Sequence, residues 1–185
     1  MVITASPFVK TYTLEEFWEL PKPTGVSKLE LIKGVLYMSP PPRDPHSDIA
    51  ANINACLRDF IRDHHYPGKL YVPDAAIWVT DTCLEPDLMY ISDKLRSEFE
   101  PHHWTRAELV IEVASVSTEQ YDRTAKADTY EALGVDEIWL VYAESKTVEV
   151  RSFKAGKRTI YHIGESIRSE VLTELRLGVE LIFPR

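Results

Sequence analysis

The pattern of apolar residues predicts that strands and helices follow one another along this chain. Residues 109–116 contain six apolar side chains, four of them β-branched, which predicts a strand buried on both faces. Ser117 and Gln120 then form a capping-box pattern, so a helix should run from about Thr118 to Leu133. Gly134 is its expected C-terminal stop. This strand and helix form the segment around which the other elements are arranged.

The remaining elements are shorter and lie on both sides of that segment. Residues 1–10 are expected to form a loose tail. A helix should begin after the Thr13 capping box, and another after Asp44-Pro45, where Asp44 can cap and Pro45 can occupy the first turn. Alternation and turn residues predict hairpins and strands at 29–38, 69–72, 75–79, 84–91, 137–142, 147–163 and 177–183. This order predicts an α/β fold, in which a central mixed sheet is flanked by helices and carries additional β-hairpins.

Composition limits the classes of protein to which the chain can belong. With 185 residues, 44% hydrophobic and 27% charged, it should form one globular domain over 1–185. No apolar run approaches the roughly 20 residues of a membrane span. Two cysteines do not make a disulfide framework, so we expect reduced thiols and a cytoplasmic location. The net charge of −8 argues against nonspecific coating of nucleic acid, although a local basic surface near an acidic site is compatible with it.

Two carboxylates in predicted strands are the candidate chemistry. Glu112 interrupts the buried strand, where an uncompensated charge would cost several kcal/mol. Asp87 follows Pro86 at the mouth of another strand. If the two strands are neighbours, the carboxylates converge and require a cation, for which Mg²⁺ or Mn²⁺ suits oxygen ligands better than zinc. Lys126 on the following helix would then orient a water and offset charge during phosphodiester hydrolysis.

These residues carry a resemblance to a known family. Pro86-Asp87, Glu112-Val113 and the helix positions Asp122, Lys126 and Tyr130 resemble the Uma-type restriction-endonuclease-like family, within the PD-(D/E)XK nuclease superfamily. The resemblance implies a restriction-endonuclease-like fold, Asp87 and Glu112 as metal ligands, and Asp87, Glu112 and Lys126 as catalytic residues. The usual superfamily pattern has its lysine two residues after the glutamate, where this chain has Ala114. Lys126 would be that lysine, displaced to the helix.

The resemblance also extends upstream to Glu30 and His46. Glu30, His46 and Asp122 are expected to have accessory roles in the site. The leading hypothesis is a Mg²⁺-dependent DNA endonuclease, with Mn²⁺ as an alternative ion. A homodimer is implied because cutting both strands takes two sites. Two alternatives stay open: a catalytically silent member that binds nucleic acid or a protein partner, and a hydrolase of RNA or another phosphoester.

Each site residue also has a structural interpretation. Asp87 could be a strand-entry residue, and Glu112 could form a buried ion pair with Arg123. Lys126 could pair with Asp122 four positions earlier on the helix. Glu30 could face solvent, His46 could be structural at a helix start, and Tyr130 is expected in the core.

Overall fold

The computed structural model describes residues 9–42, 44–73, 75–114 and 122–184. Within these ranges the helices are α1 (Leu14–Trp18), α2 (His46–Asp63), α3 (Asp93–Arg96) and α4 (Ala127–Ala132). A π-helical turn, Asp122–Lys126, leads into α4, and a 3-10 turn, Val179–Leu181, lies near the C-terminus. The strands are β1 (Lys28–Ile32), β2 (Val35–Ser39), β3 (Gly68–Tyr71), β4 (Ile77–Val79), β5 (Thr82–Leu84), β6 (Leu88–Ser92), β7 (Leu109–Ala114), β8 (Glu137–Tyr142), β9 (Thr147–Ser152), β10 (Lys157–Tyr161), β11 (Ser166–Ile167) and β12 (Leu177–Gly178).

A six-stranded mixed sheet forms the centre, in the order β10-β9-β8-β7-β6-β3. The β7–β8 pair is parallel, since a helical crossover joins the two strands, and the other pairs are antiparallel. A second, antiparallel sheet has the order β2-β1-β5-β4, and β11 pairs with β12. The expected mixed sheet with flanking helices and additional hairpins is confirmed.

Hydrophobic layers cover both faces of the central sheet. On one face α2 places Ile49, Ile53 and Leu57, all fully buried, against alternate residues of β7. Each such side chain contributes about 1.5–3 kcal/mol by burial. The other face packs on α4 and on residues of the second sheet, including Ile32. The sheet is therefore an inner layer, and any charged side chain on it needs a partner.

The first hairpin follows its sequence signals. Thr13 and Glu16 form the predicted capping box of α1. The turn between β1 and β2 uses Lys33 and Gly34 at φ values of 50° and 77°, the left-handed conformation of tight hairpin turns. In the described part of the chain, no helix combines the length and apolarity needed to cross a membrane.

Three of the differences between predicted and observed element boundaries have a clear structural cause. The strand expected over 84–91 is broken into β5 and β6, because residues 85–87 carry the chain from one sheet to the other. Helix α2 begins at His46 with Pro45 in the cap position and no side-chain cap bond, so Asp44 does not cap it. The expected final strand shortens to β12 because the chain turns into the 3-10 segment.

The crossover helix also differs from the continuous α-helix predicted. Its described part starts with the π-helical turn and becomes α-helical only at Ala127. It ends before Gly134, at φ 79°, as predicted. The predicted caps Ser117 and Gln120 lie outside the described residues.

Candidate active site

The two acidic residues meet where β6 and β7 pair. Leu88 is opposite Ile111 in the register, so Asp87 and Glu112 lie one step beyond that pair. Alternation places Asp87 on the same face as Met89, and Glu112 on the same face as Val110, and these two apolar residues belong to one buried cluster. Both carboxylates therefore lie on the same face of the central sheet.

Backbone and side-chain donors fix the orientation of Asp87. The Val113 N–H donates to its Oδ2 at 2.8 Å. His46, the first residue of α2, donates from Nε2 to the same oxygen at 3.1 Å. The other oxygen, Oδ1, lies 2.6 Å from Lys28 Nζ. Asp87 is thus held by three elements of the fold.

Strand β1 contributes two further charges, Lys28 and Glu30. They share the strand face of Ile32, which is the face packed toward the central sheet. Both engage the backbone of Glu85 in the link between the sheets. Lys28 Nζ donates to the Glu85 carbonyl oxygen at 2.8 Å, and the Glu85 N–H donates to Glu30 Oε1 at 3.0 Å.

The crossover helix completes the cluster. Lys126 Nζ lies 2.7 Å from Glu112 Oε1 and 3.1 Å from Glu30 Oε1. Tyr130, four residues later, donates its hydroxyl to Glu112 Oε1 at 2.7 Å. Lys126 and Tyr130 therefore lie on one helical face, as their spacing predicts.

Burial makes these interactions strong. Glu30, Asp87, Glu112 and Lys126 are each at most 2% exposed. Burial alone would raise the pKa of Asp87, but the hydrogen bond from His46 and the charge of Lys28 outweigh it and hold that pKa well below its usual range. Burial would lower the pKa of Lys28, but the carboxylates of Glu112 and Asp87 outweigh it and raise that pKa. Asp87 is ionised and Lys28 is charged at neutral pH.

A groove of about 950 Å³ opens onto this cluster. Its walls are mostly proline and small apolar residues, among them Pro40, Pro41, Pro42, Ala50, Ala51 and Pro73. The charged groups at its floor include Lys28, Asp87, Glu112 and Lys126, with His46 beside them. A ligand in the groove would therefore lie beside this charged cluster, in which Lys28 has the most exposed side chain.

The donor set bears on whether a metal ion could bind. Among the described residues, no group of three or more His, Cys, Asp or Glu side chains is arranged to hold one, and Glu30 is directed to Lys126 and the Glu85 N–H. Asp87 and Glu112 nevertheless face one ammonium group, that of Lys28, at 2.6 and 4.0 Å. Mg²⁺ is commonly held by one or two carboxylates, with waters and substrate phosphate completing its shell. The two acids fit that kind of site.

The sequence-predicted residues assemble as a group. The structure brings Glu30, His46, Asp87, Glu112 and Lys126 into contact through the interactions above. The side chains of Asp122 and Arg123, and with them the alternative ion pairs that involve them, lie outside what the structure describes. Ser115 and Ser117 also lie outside it.

Sequence reasoning missed two members of the cluster. Lys28 is not among the predicted site residues, and Tyr130 is predicted only as a core residue, whereas the structure shows that Tyr130 is buried and also donates its hydroxyl to Glu112. The alternation of Lys28, Glu30 and Ile32 is a signal that could have found Lys28, because it places all three residues on one strand face and Ile32 directs that face inward.

Residues 14–180 match Uma2, a family described as "Putative restriction endonuclease". The chain belongs to the Uma2 family. Among solved structures, it is similar to "a putative nuclease belonging to DUF820 from Anabaena variabilis ATCC 29413", with a TM-score of 0.76 and 19% sequence identity. The match covers 93% of this chain and 97% of that one, so it shows a shared fold. A comparison with curated proteins gave no match. The Uma2 assignment agrees with the resemblance seen in the sequence, and it makes a nuclease-like function the starting point.

Proposed function

We propose that this Uma2 protein is a Mg²⁺-dependent DNA endonuclease that hydrolyses phosphodiester bonds and accepts Mn²⁺ in place of Mg²⁺. The observation that carries the proposal is the convergence of Asp87 and Glu112 on one cation position at the floor of an open groove. Family membership supports the reaction class, and the oxygen donors support a hard divalent ion.

The two carboxylates would hold the ion, which when bound polarises a phosphate and lowers the pKa of a coordinated water. Asp87 is kept in its binding orientation by the Val113 N–H and by His46. Lys126 and Tyr130 position Glu112 through its Oε1 atom. These contacts preorganise both acids, so no carboxylate needs to rotate before the reaction begins.

Lys126 acts in this proposal mainly as a positioning residue. Its side chain is 2% exposed and lies between Glu30 and Glu112. From there its positive charge lowers the cost of keeping Glu112 ionised in a buried place. Lys28 is the more exposed of the two lysines, with 19% of its side chain accessible, and it borders the groove.

A second candidate is a catalytically silent Uma2 protein that binds nucleic acid or a protein partner. The specific observation in its favour is that both carboxylates already have ammonium partners within the described residues. In that case the cluster would serve as a buried ion network that fixes the fold.

Cleavage assays separate the two functions. Purified protein is incubated with supercoiled plasmid, single-stranded DNA and RNA, in the presence of Mg²⁺, Mn²⁺ or EDTA. We expect metal-dependent nicking of DNA that is lost in Asp87→Asn and Glu112→Gln. Glu131→Gln is the matched control, because it removes one negative charge from an exposed position on α4.

Folding of each variant is checked by circular dichroism and thermal unfolding. Loss of cleavage in a folded Asp87→Asn protein, with activity kept in Glu131→Gln, supports the endonuclease. No cleavage of any substrate with either ion, together with a folded protein, refutes it and favours the silent alternative. Cleavage of RNA alone would reassign the substrate.

Quaternary structure is a separate part of the proposal. Double-strand cleavage by one site per chain calls for a homodimer. Light scattering in solution, with and without DNA, is expected to give twice the chain mass. A monomer that still cuts both strands would contradict this part.

A further inference from the structure

The Lys28 ammonium group occupies an oxygen-lined position. It lies 2.6 Å from Asp87 Oδ1, 2.8 Å from the Glu85 carbonyl oxygen and 4.0 Å from Glu112 Oε2. Two carboxylates and a carbonyl are also the donors that hard divalent ions prefer. The amine thus lies where a metal shared by Asp87 and Glu112 would be held.

The two lysines of the cluster differ in their freedom to move. Lys126 is enclosed, with 2% of its side chain exposed, and it is placed between Glu30 and Glu112. The Lys28 side chain is 19% exposed and borders the groove. Since a long lysine side chain has many rotamers, Lys28 can extend into the groove without unfolding the site.

The charge balance of the cluster favours exchange over simple addition. Glu30, Asp87 and Glu112 face two ammonium groups. A divalent ion added beside an unmoved Lys28 would bring two cations within a few ångströms in a poorly solvated place, where repulsion is strong. Withdrawal of the ammonium removes that repulsion and leaves the carboxylate oxygens to the ion.

We propose that Lys28 is an exchangeable internal counter-ion, which holds Asp87 and Glu112 together in the metal-free protein and swings into the groove when a divalent ion binds. The inference rests on the proposed metal site. In the groove the released ammonium group faces the space that a phosphate of the substrate would occupy. Binding of the metal ion would thereby place the positive charge of Lys28 in the groove, where the substrate would bind.

Metal affinity is the first test, carried out on the full chain without nucleic acid. Mn²⁺ binding is measured by titration calorimetry for the wild type, Lys28→Met, and the control Lys69→Met, which removes an exposed lysine from strand β3. We expect Lys28→Met to bind Mn²⁺ about tenfold more tightly or better, because the competing charge is gone. Lys69→Met should stay within about twofold of the wild type.

The second test follows the amine itself in the wild-type protein, so it does not depend on a variant that folds. Lysines are acetylated at fixed pH with a limiting reagent, with and without saturating Mn²⁺, and each site is quantified by mass spectrometry. Labelling of Lys28 should increase several-fold with Mn²⁺, and that of Lys69 should not change. Because the charge of a bound ion would itself favour the neutral, reactive form of the amine, increased labelling supports the exchange only together with tighter Mn²⁺ binding by Lys28→Met.

The outcomes separate this inference from the endonuclease proposal. Wild-type Mn²⁺ binding that Asp87→Asn abolishes, with unchanged affinity in Lys28→Met or unchanged Lys28 labelling, overturns the exchange and leaves the endonuclease intact. Tighter binding and increased labelling without nucleic-acid cleavage support the exchange and count against the endonuclease. No Mn²⁺ binding by either the wild type or Lys28→Met overturns both.

Discussion

The substitution Lys126→Met tests how much the fold depends on the buried ion network. It removes an ammonium group placed 2.7 Å from Glu112 and 3.1 Å from Glu30, at a position 2% exposed. Loss of one partner from a buried ion pair costs about 3–5 kcal/mol, because the remaining charge is left in a poorly solvated place. Tyr130 still bonds to Glu112, and the Glu85 N–H still bonds to Glu30, so the lower part of that range is expected.

The free energy of unfolding is measured by urea denaturation with circular dichroism and tryptophan fluorescence. For a chain of this size, a loss of about 3–4 kcal/mol corresponds to a fall in Tm of roughly 6–16 °C. Lys94→Met is the matched control, since Lys94 is an exposed helical lysine, and it should stay within about 0.5 kcal/mol of the wild type.

A second substitution identifies the origin of the effect. Glu112→Gln removes the carboxylate charge that lies 2.7 Å from the Lys126 ammonium group. The double variant should therefore be less destabilised than the sum of the two single variants by about 1 kcal/mol or more. A loss below about 1 kcal/mol for Lys126→Met, or strict additivity in the double variant, would refute the reasoning.

Two further predictions concern neighbouring contacts. Tyr130→Phe keeps the buried ring and removes the hydroxyl that donates to Glu112. We expect the free energy of unfolding, measured by urea denaturation, to fall by about 1.5–3 kcal/mol, and a change below about 0.5 kcal/mol would contradict that role. Burial opposes ionisation of Asp87, yet His46 and Lys28 hold its pKa below the ordinary value of 3.8. The ionised carboxylate therefore stabilises the fold above about pH 4, and this contribution declines as the pH falls below that value. The wild type should therefore lose more stability than Asp87→Asn between pH 5 and about pH 2.5, and parallel pH profiles would show that Asp87 does not contribute in this way.

Asp87 and Glu112 could each be singled out from local signals, and their convergence was predicted on the condition that their strands are neighbours, as β6 and β7 are. A carboxylate inside an apolar strand requires a cation, and another carboxylate after a proline marks a strand entry. A neighbouring pair of strands then brings both to one point. The shared helical face of Lys126 and Tyr130 follows from their spacing, whereas the π-helical turn Asp122–Lys126 could not be derived from the residue pattern.

The contribution of Lys28 could not be derived in the same way. Its contact with Asp87 spans 59 positions and joins two different sheets. The break of the predicted 84–91 strand has the same origin. Residues 85–87 look like continued strand, but β5 pairs with β1 and β6 pairs with β7, so the chain must change sheets there.

The location of Lys28 and Glu30 on the first hairpin affects how the protein can unfold. An intermediate that retains the central sheet but has released β1 and β2 would present Asp87 and Glu112 side by side without the ammonium group that lies between them. Their mutual repulsion, which Lys126 and His46 offset only in part, raises the free energy of such an intermediate relative to the native chain. The charges on β1 that face the groove therefore also oppose the separation of the first hairpin from the central sheet.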